Sequence, residues 1–118
     1  TKDAENLTEW AMDEPVTLTV LKNQNPATVN YADGEDQYNN VYYNAYRDNL
    51  GITLDFQICA SGDEYSQKVT LAIASDDLPD LLYLPVAEYS QLAEAGKLAP
   101  LDDVLEQYGS ELTKKNLN

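Results

Sequence analysis

Three segments of the chain have the hydrophobic pattern of β-strands. Residues 16–21 are mostly apolar and rich in β-branched side chains, which favours a strand that is buried after its first residues. Residues 52–58 alternate between apolar and polar positions, as a half-buried strand does. Residues 80–84 form a short apolar run between Pro79 and Pro85, which is typical of a buried parallel strand.

Helical periodicity separates the first two of these strands. Apolar side chains recur at positions 38, 41, 42, 45 and 46, which lie on one face of a helix. Tyr38, Tyr42 and Tyr46 belong to this stripe, and we expect them to pack the helix on the sheet rather than to form a platform for a sugar. Gly51 follows at the position where a left-handed residue closes a helix.

A second helix is predicted between the second and third strands. Ser61 and Glu64 have the spacing of a capping box, in which the hydroxyl and the carboxylate accept from backbone amides at the helix start. Tyr65 and Val69 begin its apolar face, which continues through Ala72 and Ile73. Shorter helices are predicted over residues 88–95 and 101–108, and residues 110–118 are compatible with the start of another.

This alternation predicts an α/β fold containing a βαβαβ unit. Right-handed crossovers would join three parallel neighbouring strands, with the first strand in the centre. Residues 1–15 are acidic and lack apolar periodicity, so we interpret them as a solvated linker arm. Residues 16–118 would form one α/β unit, and parallel sheets of this kind bind ligands at the carboxyl ends of their strands.

Composition narrows the possible functions. The chain has 21 acidic residues, 7 basic residues and no His, which gives a formal net charge of -14. This charge repels nucleic acid and anionic membrane surfaces. Without His, and with Cys59 as its single cysteine, the chain lacks the side chains of the common catalytic and zinc sites. We therefore expect no catalytic residues, no metal and no cofactor.

Two strand ends provide candidate ligand contacts. Asn23, Gln24 and Asn25 follow the first strand, and their planar amides can donate to and accept from pairs of sugar hydroxyls. The alternative is an amide-rich turn that satisfies its own backbone. Tyr83, at the end of the third strand, could stack on a sugar or bond through its hydroxyl, or it could belong to the core.

Three motifs in a fixed order resemble the extracellular solute-binding proteins of the carbohydrate type. They are Tyr-Ser-Gln-Lys-Val at 65–69, Ala-Ser-Asp-Asp-Leu-Pro-Asp at 74–80 and Leu-Ala-Glu-Ala-Gly-Lys-Leu-Ala-Pro-Leu at 92–101. Asp76 stands where that family usually has Gly, and a small polar residue still allows a turn there.

The resemblance implies a larger, two-lobed protein of the periplasmic-binding-protein-like type II fold, of which residues 16–118 would be part of the amino-terminal lobe. Such a protein is a monomer that traps a solute, here a sugar or oligosaccharide, and delivers it to the permease subunits of an ABC importer. It would be a cell-surface lipoprotein of a Gram-positive bacterium, or periplasmic in a Gram-negative one, and not an enzyme. The alternatives are a fragment of a carbohydrate-active hydrolase and a cell-surface interaction domain without a small ligand.

Overall fold

The computed structural model describes residues 10–117 and divides into two compact units. One unit comprises Ala11–Leu84, and the other contains the helices that follow Pro85. Residues 1–9, most of the predicted linker arm, lie outside the described residues. Residues 11–15 are exposed, although the backbone N–H of Met12 donates to the carbonyl of Leu50 at 2.9 Å.

The larger unit is built on a three-stranded parallel sheet. Its strands are β1 (Val16–Asn23), β2 (Ile52–Ala60) and β3 (Leu81–Leu82), in the order β2-β1-β3. Both neighbours pair with β1 in parallel. The α/β class, the parallel pairing and the central first strand are therefore confirmed.

A β-bulge interrupts the pairing of β1 with β2. Val20 pairs with Phe56 and Leu21 pairs with Ile58, so that Gln57 is the additional residue. Paired residues of parallel strands share a face of the sheet, and the bulge therefore places Phe56 and Ile58 on opposite faces. The strict period of two predicted for residues 52–58 holds only up to Phe56.

The helix α2 (Gly62–Ser75) covers the face of the sheet to which Leu21 points. Its buried residues Tyr65 and Val69 pack with Leu21 and Ala60 to form the core. The hydroxyl of Tyr65 donates to the carbonyl of Tyr83, which anchors the end of β3. Burial of each large apolar side chain in this core contributes about 1.5–3 kcal/mol.

The opposite face is covered by a shorter and less regular helix. It consists of α1 (Val41–Ala45) and a π-helical turn, Tyr46–Leu50, which ends at Gly51 with φ 70°. A left-handed residue at Gly51 confirms the predicted helix end. The prediction that the tyrosine stripe forms core is wrong: Tyr38, Tyr42 and Tyr46 are 51%, 73% and 43% exposed.

Two features of the backbone explain this difference. The helix begins only after Asn40, so Tyr38 precedes it. The π-helical turn begins at Tyr46 and changes the angular spacing of the residues that follow. Tyr43 is consequently the tyrosine of α1 that lies over the sheet, with its ring centroid 5.3 Å from that of Phe56.

The predicted capping box at Ser61 is also wrong. Ser61 precedes α2 with extended backbone, but its side chain makes no capping hydrogen bond, and Glu64 pairs with Lys68 at 3.0 Å. A side-chain cap is present instead at α1. The Oδ1 of Asn40, a residue only 5% exposed, accepts from the backbone N–H groups of Tyr42 and Tyr43 at 3.1 and 3.2 Å.

A hydrogen-bonded ring between Thr19 and Asp80 aligns β3 with β1. The Oδ2 of Asp80 accepts from the backbone N–H of Thr19 at 2.9 Å and from its hydroxyl at 3.0 Å, while the N–H of Asp80 donates to the Thr19 hydroxyl at 2.9 Å. The backbone bond, followed by the side-chain bond, holds the pKa of Asp80 below its ordinary value of 3.8.

The second unit contains three helices among its described residues: α3 (Val86–Glu94), α4 (Asp102–Tyr108) and α5 (Glu111–Leu117). They agree with the three helical segments predicted from the sequence. Several apolar side chains of this unit are exposed: Val86, Tyr89, Leu101, Val104, Tyr108, Leu112 and Leu117.

We expect Asn40→Ala to lower the free energy of unfolding by about 0.5–2 kcal/mol, because it removes the side-chain cap of α1. Ser61→Ala is the matched control at the other helix and should change it by less than about 0.5 kcal/mol. Urea unfolding of both variants is the measurement. A larger loss for Ser61→Ala than for Asn40→Ala would contradict the assignment of the caps.

Asp80 should make the free energy of unfolding depend on pH in the acid range. Because its pKa is lowered in the folded state, its contribution is complete above 3.8 and is lost as the pH falls below 3.8 through the folded pKa. Asp80→Asn should therefore flatten the acid limb of a plot of unfolding free energy against pH. Asp55→Asn, at an exposed carboxylate of β2, is the control for loss of one negative charge, and equal curves for the two variants would refute the prediction.

Candidate functional site

A cleft of about 380 Å³ lies at the carboxyl end of β1, between the strand, the following loop and α1. The position is the one at which parallel sheets bind ligands. Its lining contains four tyrosines, two ions and three amides beside apolar groups: Lys22, Gln24, Val29, Asn30, Tyr31, Glu35, Asn40, Val41, Tyr42, Tyr43 and Tyr46. This mixture of aromatic and convergent polar groups is characteristic of small-molecule sites.

Local hydrogen bonds shape the loop that forms one wall of the cleft. The Oδ1 of Asn25 accepts from the N–H of Ala27 at 3.0 Å and opens a short 3-10 turn, Pro26–Thr28. Farther along, the Oδ1 of Asp36 accepts from the N–H groups of Tyr38 and Asn39 at 2.7 and 2.8 Å. These side-chain hydrogen bonds satisfy backbone N–H groups that have no partners from a helix or a sheet.

The loop is joined to α1 by the side chain of Asn40. Besides capping the helix, its Nδ2 donates to the carbonyls of Asp36 and Gln37 at 3.1 and 3.5 Å. Both ends of this buried amide are therefore satisfied, as burial requires. Asn40 thus fixes the position of Tyr42 and Tyr43 relative to the loop.

Aromatic rings form the side of the cleft nearest the sheet. The ring centroid of Tyr43 lies 5.3 Å from that of Phe56 and 6.1 Å from that of Tyr46, and the ring centroid of Tyr38 lies 5.7 Å from that of Phe56. Tilted pairs at these distances are favourable. The rings of Tyr42 and Tyr46 keep a large exposed surface.

Lys22 and Glu35 are the ionic groups of the cleft. The Nζ of Lys22 donates to the hydroxyl of Tyr43 at 2.7 Å and lies 5.4 Å from the Tyr43 ring centroid and 5.0 Å from that of Phe56. Glu35 accepts through Oε1 from the N–H of Val41 at 3.1 Å. The cleft therefore offers both a cationic donor and an anionic acceptor.

The candidates predicted from the sequence are distributed unequally around this cleft. Gln24 lines it, and its backbone N–H donates to the carbonyl of Ala60 at 2.8 Å. Asn23, the exposed last residue of β1, and Asn25, which is engaged in the turn described above, do not line it. Tyr83 does not line it either, and its side chain is 64% exposed and thus not part of the core. Their roles in ligand binding stay predictions.

The sequence reasoning missed Lys22, Glu35 and Tyr43. Lys22 had a signal, because a charged residue directly follows the predicted first strand, residues 16–21. Tyr43 lay outside the apolar stripe because that stripe was counted from Tyr38. Counting from Asn40 as the cap would have placed Tyr43 in the first turn.

The sequence of residues 29–118 matches the profile of the bacterial extracellular solute-binding proteins. The match covers most of the chain, including α1 and all three motifs, and begins within the loop that follows β1. The chain belongs to this family. Comparisons with curated proteins and with solved structures give no match.

Membership in the solute-binding family indicates the general role of the protein. The proteins of this family act outside the cytoplasm, where they bind solutes for transport, and the resemblance inferred from the three motifs is confirmed at that level. Within residues 10–117, no helix is sufficiently long and apolar to cross a membrane.

The exposed tyrosines should contribute little to stability. We expect Tyr42→Ala to change the free energy of unfolding by less than about 0.5 kcal/mol, because the side chain is 73% exposed. Tyr65→Ala, which empties a core position, should cost about 3–5 kcal/mol. Thermal or urea unfolding compares the two variants, and a loss above about 2 kcal/mol for Tyr42→Ala would show that α1 depends on this ring.

Proposed function

We propose that this protein is the solute-capturing subunit of an ABC importer and that its solute is a sugar or an oligosaccharide. The observation that carries the proposal is the cleft at the carboxyl end of β1, in which exposed tyrosine rings stand beside an amide and a carboxylate. The protein would deliver its ligand to membrane permease subunits as a monomeric cell-surface lipoprotein of a Gram-positive bacterium, or in the periplasm of a Gram-negative one.

The chemistry of the cleft suits a sugar. The faces of sugar rings are apolar and stack on aromatic side chains, for which Tyr42 and Tyr46 are available. Sugar hydroxyls both donate and accept, and the Gln24 amide and the Glu35 carboxylate can meet them with the required complementary groups. A few convergent polar groups on an aromatic background also provide specificity without a large net charge.

We further propose that residues 16–118 are part of an amino-terminal lobe of the type II fold and that residues 1–15 are a linker arm. The exposed apolar side chains of α4 and α5, such as Val104 and Leu112, support a lobe with additional packing partners. In a two-lobed protein the ligand is enclosed from both sides, and Asn23, Asn25 and Tyr83 would contact it from the same end of the sheet as the cleft.

An enzymatic function is the less favoured alternative. A glycoside hydrolase needs two carboxyl groups about 5–9 Å apart across the scissile bond. Among the residues that line the cleft, Glu35 alone carries a carboxylate. We therefore propose capture of the sugar without cleavage. A cell-surface domain without a small ligand would leave the exposed tyrosines of the cleft unexplained.

The test is calorimetry of a full-length, two-lobed protein and of residues 1–118 against a panel of oligosaccharides. We expect the full-length protein to bind one of them with micromolar or better affinity and to release it unchanged. Residues 1–118 alone should bind it in the millimolar range or not at all. The reason is that closed sites bury about 70% or more of a ligand, and loss of half of ~8 kcal/mol lowers the affinity about a thousandfold.

In the full-length protein, Gln24→Ala should weaken binding, and Gln67→Ala on the exposed side of α2 is its matched control. Asn23→Ala and Tyr83→Ala test the predicted contacts outside the cleft. Submicromolar binding by residues 1–118, or cleavage of a glycan by the full-length protein, would refute capture between two lobes. An equal effect of Gln24→Ala and Gln67→Ala would refute the location of the site.

A further inference from the structure

Lys22 is an unusual residue for the position it occupies. It lies one residue before the end of the central strand, half-buried, on the face of the sheet covered by α1. Its neighbours are two aromatic rings, those of Tyr43 and Phe56, whose packing an apolar side chain would also satisfy. The chain contains only 7 basic residues, and one of them is placed at the wall of the cleft.

The ammonium group of Lys22 is held in place without being neutralised. Its hydrogen bond to the Tyr43 hydroxyl, at 2.7 Å, uses one of its three donors. The two rings stabilise the positive charge through cation–π interactions. The ion pairs found within residues 10–117 join Arg47 to Asp48 and Lys68 to Glu64, and neither involves Lys22.

Glu35, the other charged residue of the cleft, does not form an ion pair with Lys22. Its carboxylate accepts from the backbone N–H of Val41 and is not within ion-pair distance of Lys22. The cleft thus holds a positioned, partly desolvated cation next to rings suited to stacking. A partly buried cation of this kind is stabilised by an anion that enters with the ligand.

We propose that Lys22 makes the cleft selective for an acidic sugar, whose carboxylate binds the Lys22 ammonium while its ring stacks on the exposed tyrosines. The proposal rests on the proposed function, since it specifies the class of sugar that the same cleft binds. The overall charge of -14 does not favour anions, so the selectivity depends on this one local contact. Glu35 and Gln24 bind the hydroxyls of the same ligand.

The experiment measures binding to the full-length protein by calorimetry at one fixed ionic strength. The probes are oligomers of galacturonate, glucuronate and mannuronate, their methyl esters, and the corresponding neutral oligosaccharides. We expect the acid of one series to bind about 10- to 100-fold more tightly than its methyl ester and its neutral counterpart, because a hydrogen bond to a charged group is lost in both. This comparison requires no variant protein.

Variants then assign the preference to Lys22. Lys22→Met keeps the apolar stem and should abolish the preference for the acid over its methyl ester and over the neutral sugar. Lys22→Arg should retain a preference, since it retains the charge. Lys68→Met removes the same charge from α2 and is the matched control, in which the preference should be unchanged.

The results that would contradict the role of Lys22 differ from those that would contradict sugar capture. Binding of a neutral oligosaccharide as tightly as any of the acids would overturn the role of Lys22 and leave sugar capture standing. An undiminished preference in Lys22→Met would also overturn it. Absence of binding to every acidic and neutral sugar of the panel would overturn both this inference and the proposed function.

Discussion

The structure depends on the central position of β1, because a central strand of a parallel sheet must be covered on both faces. Successive side chains of a strand point to opposite faces, and adjacent residues of β1 therefore meet different environments. Leu21, only 1% exposed, packs in the core beneath α2. Lys22 lies against Tyr43 and Phe56 on the other face. The strand β1 thus contributes both to the core beneath α2 and to the cleft beside the less regular helix α1.

The sheet could be predicted from the sequence because its signals are local and repeated. The β-branched run of β1, the alternation in β2 and the apolar run before Pro85 each identify a strand, and the intervening helices require parallel pairing. The bulge at Gln57 could not be predicted, since it is a property of the pairing with β1 and leaves no mark in the period of β2 alone. β3 begins one residue later than predicted because Asp80 bonds to the Thr19 side chain instead of the ladder.

The candidate site could be predicted only in part, because side-chain hydrogen bonds determine the position of its remaining residues. The rule that ligands bind at the ends of parallel strands pointed to the residues after β1, of which Gln24 lines the cleft, while its role in ligand binding stays a prediction. The opposite wall is a loop without periodicity, whose course is determined by bonds from Asn25, Asp36 and Asn40 to nearby backbone groups. Hydrophobic patterns contain no information about such bonds, and they therefore placed the start of α1 at Tyr38, three residues before Val41.

The side chains of Tyr42 and Tyr46 are exposed because little uncovered surface of the sheet remains for them to pack on. The face beside α1 is filled by the ring of Phe56, the ring of Tyr43 and the methylene stem of Lys22, which packs on them while its charge stays at the edge. A helical stripe packs inward only when an uncovered apolar surface faces it. With that surface occupied, the rings of Tyr42 and Tyr46 line the cleft instead of the core, and each ring offers an apolar face and a polar hydroxyl there.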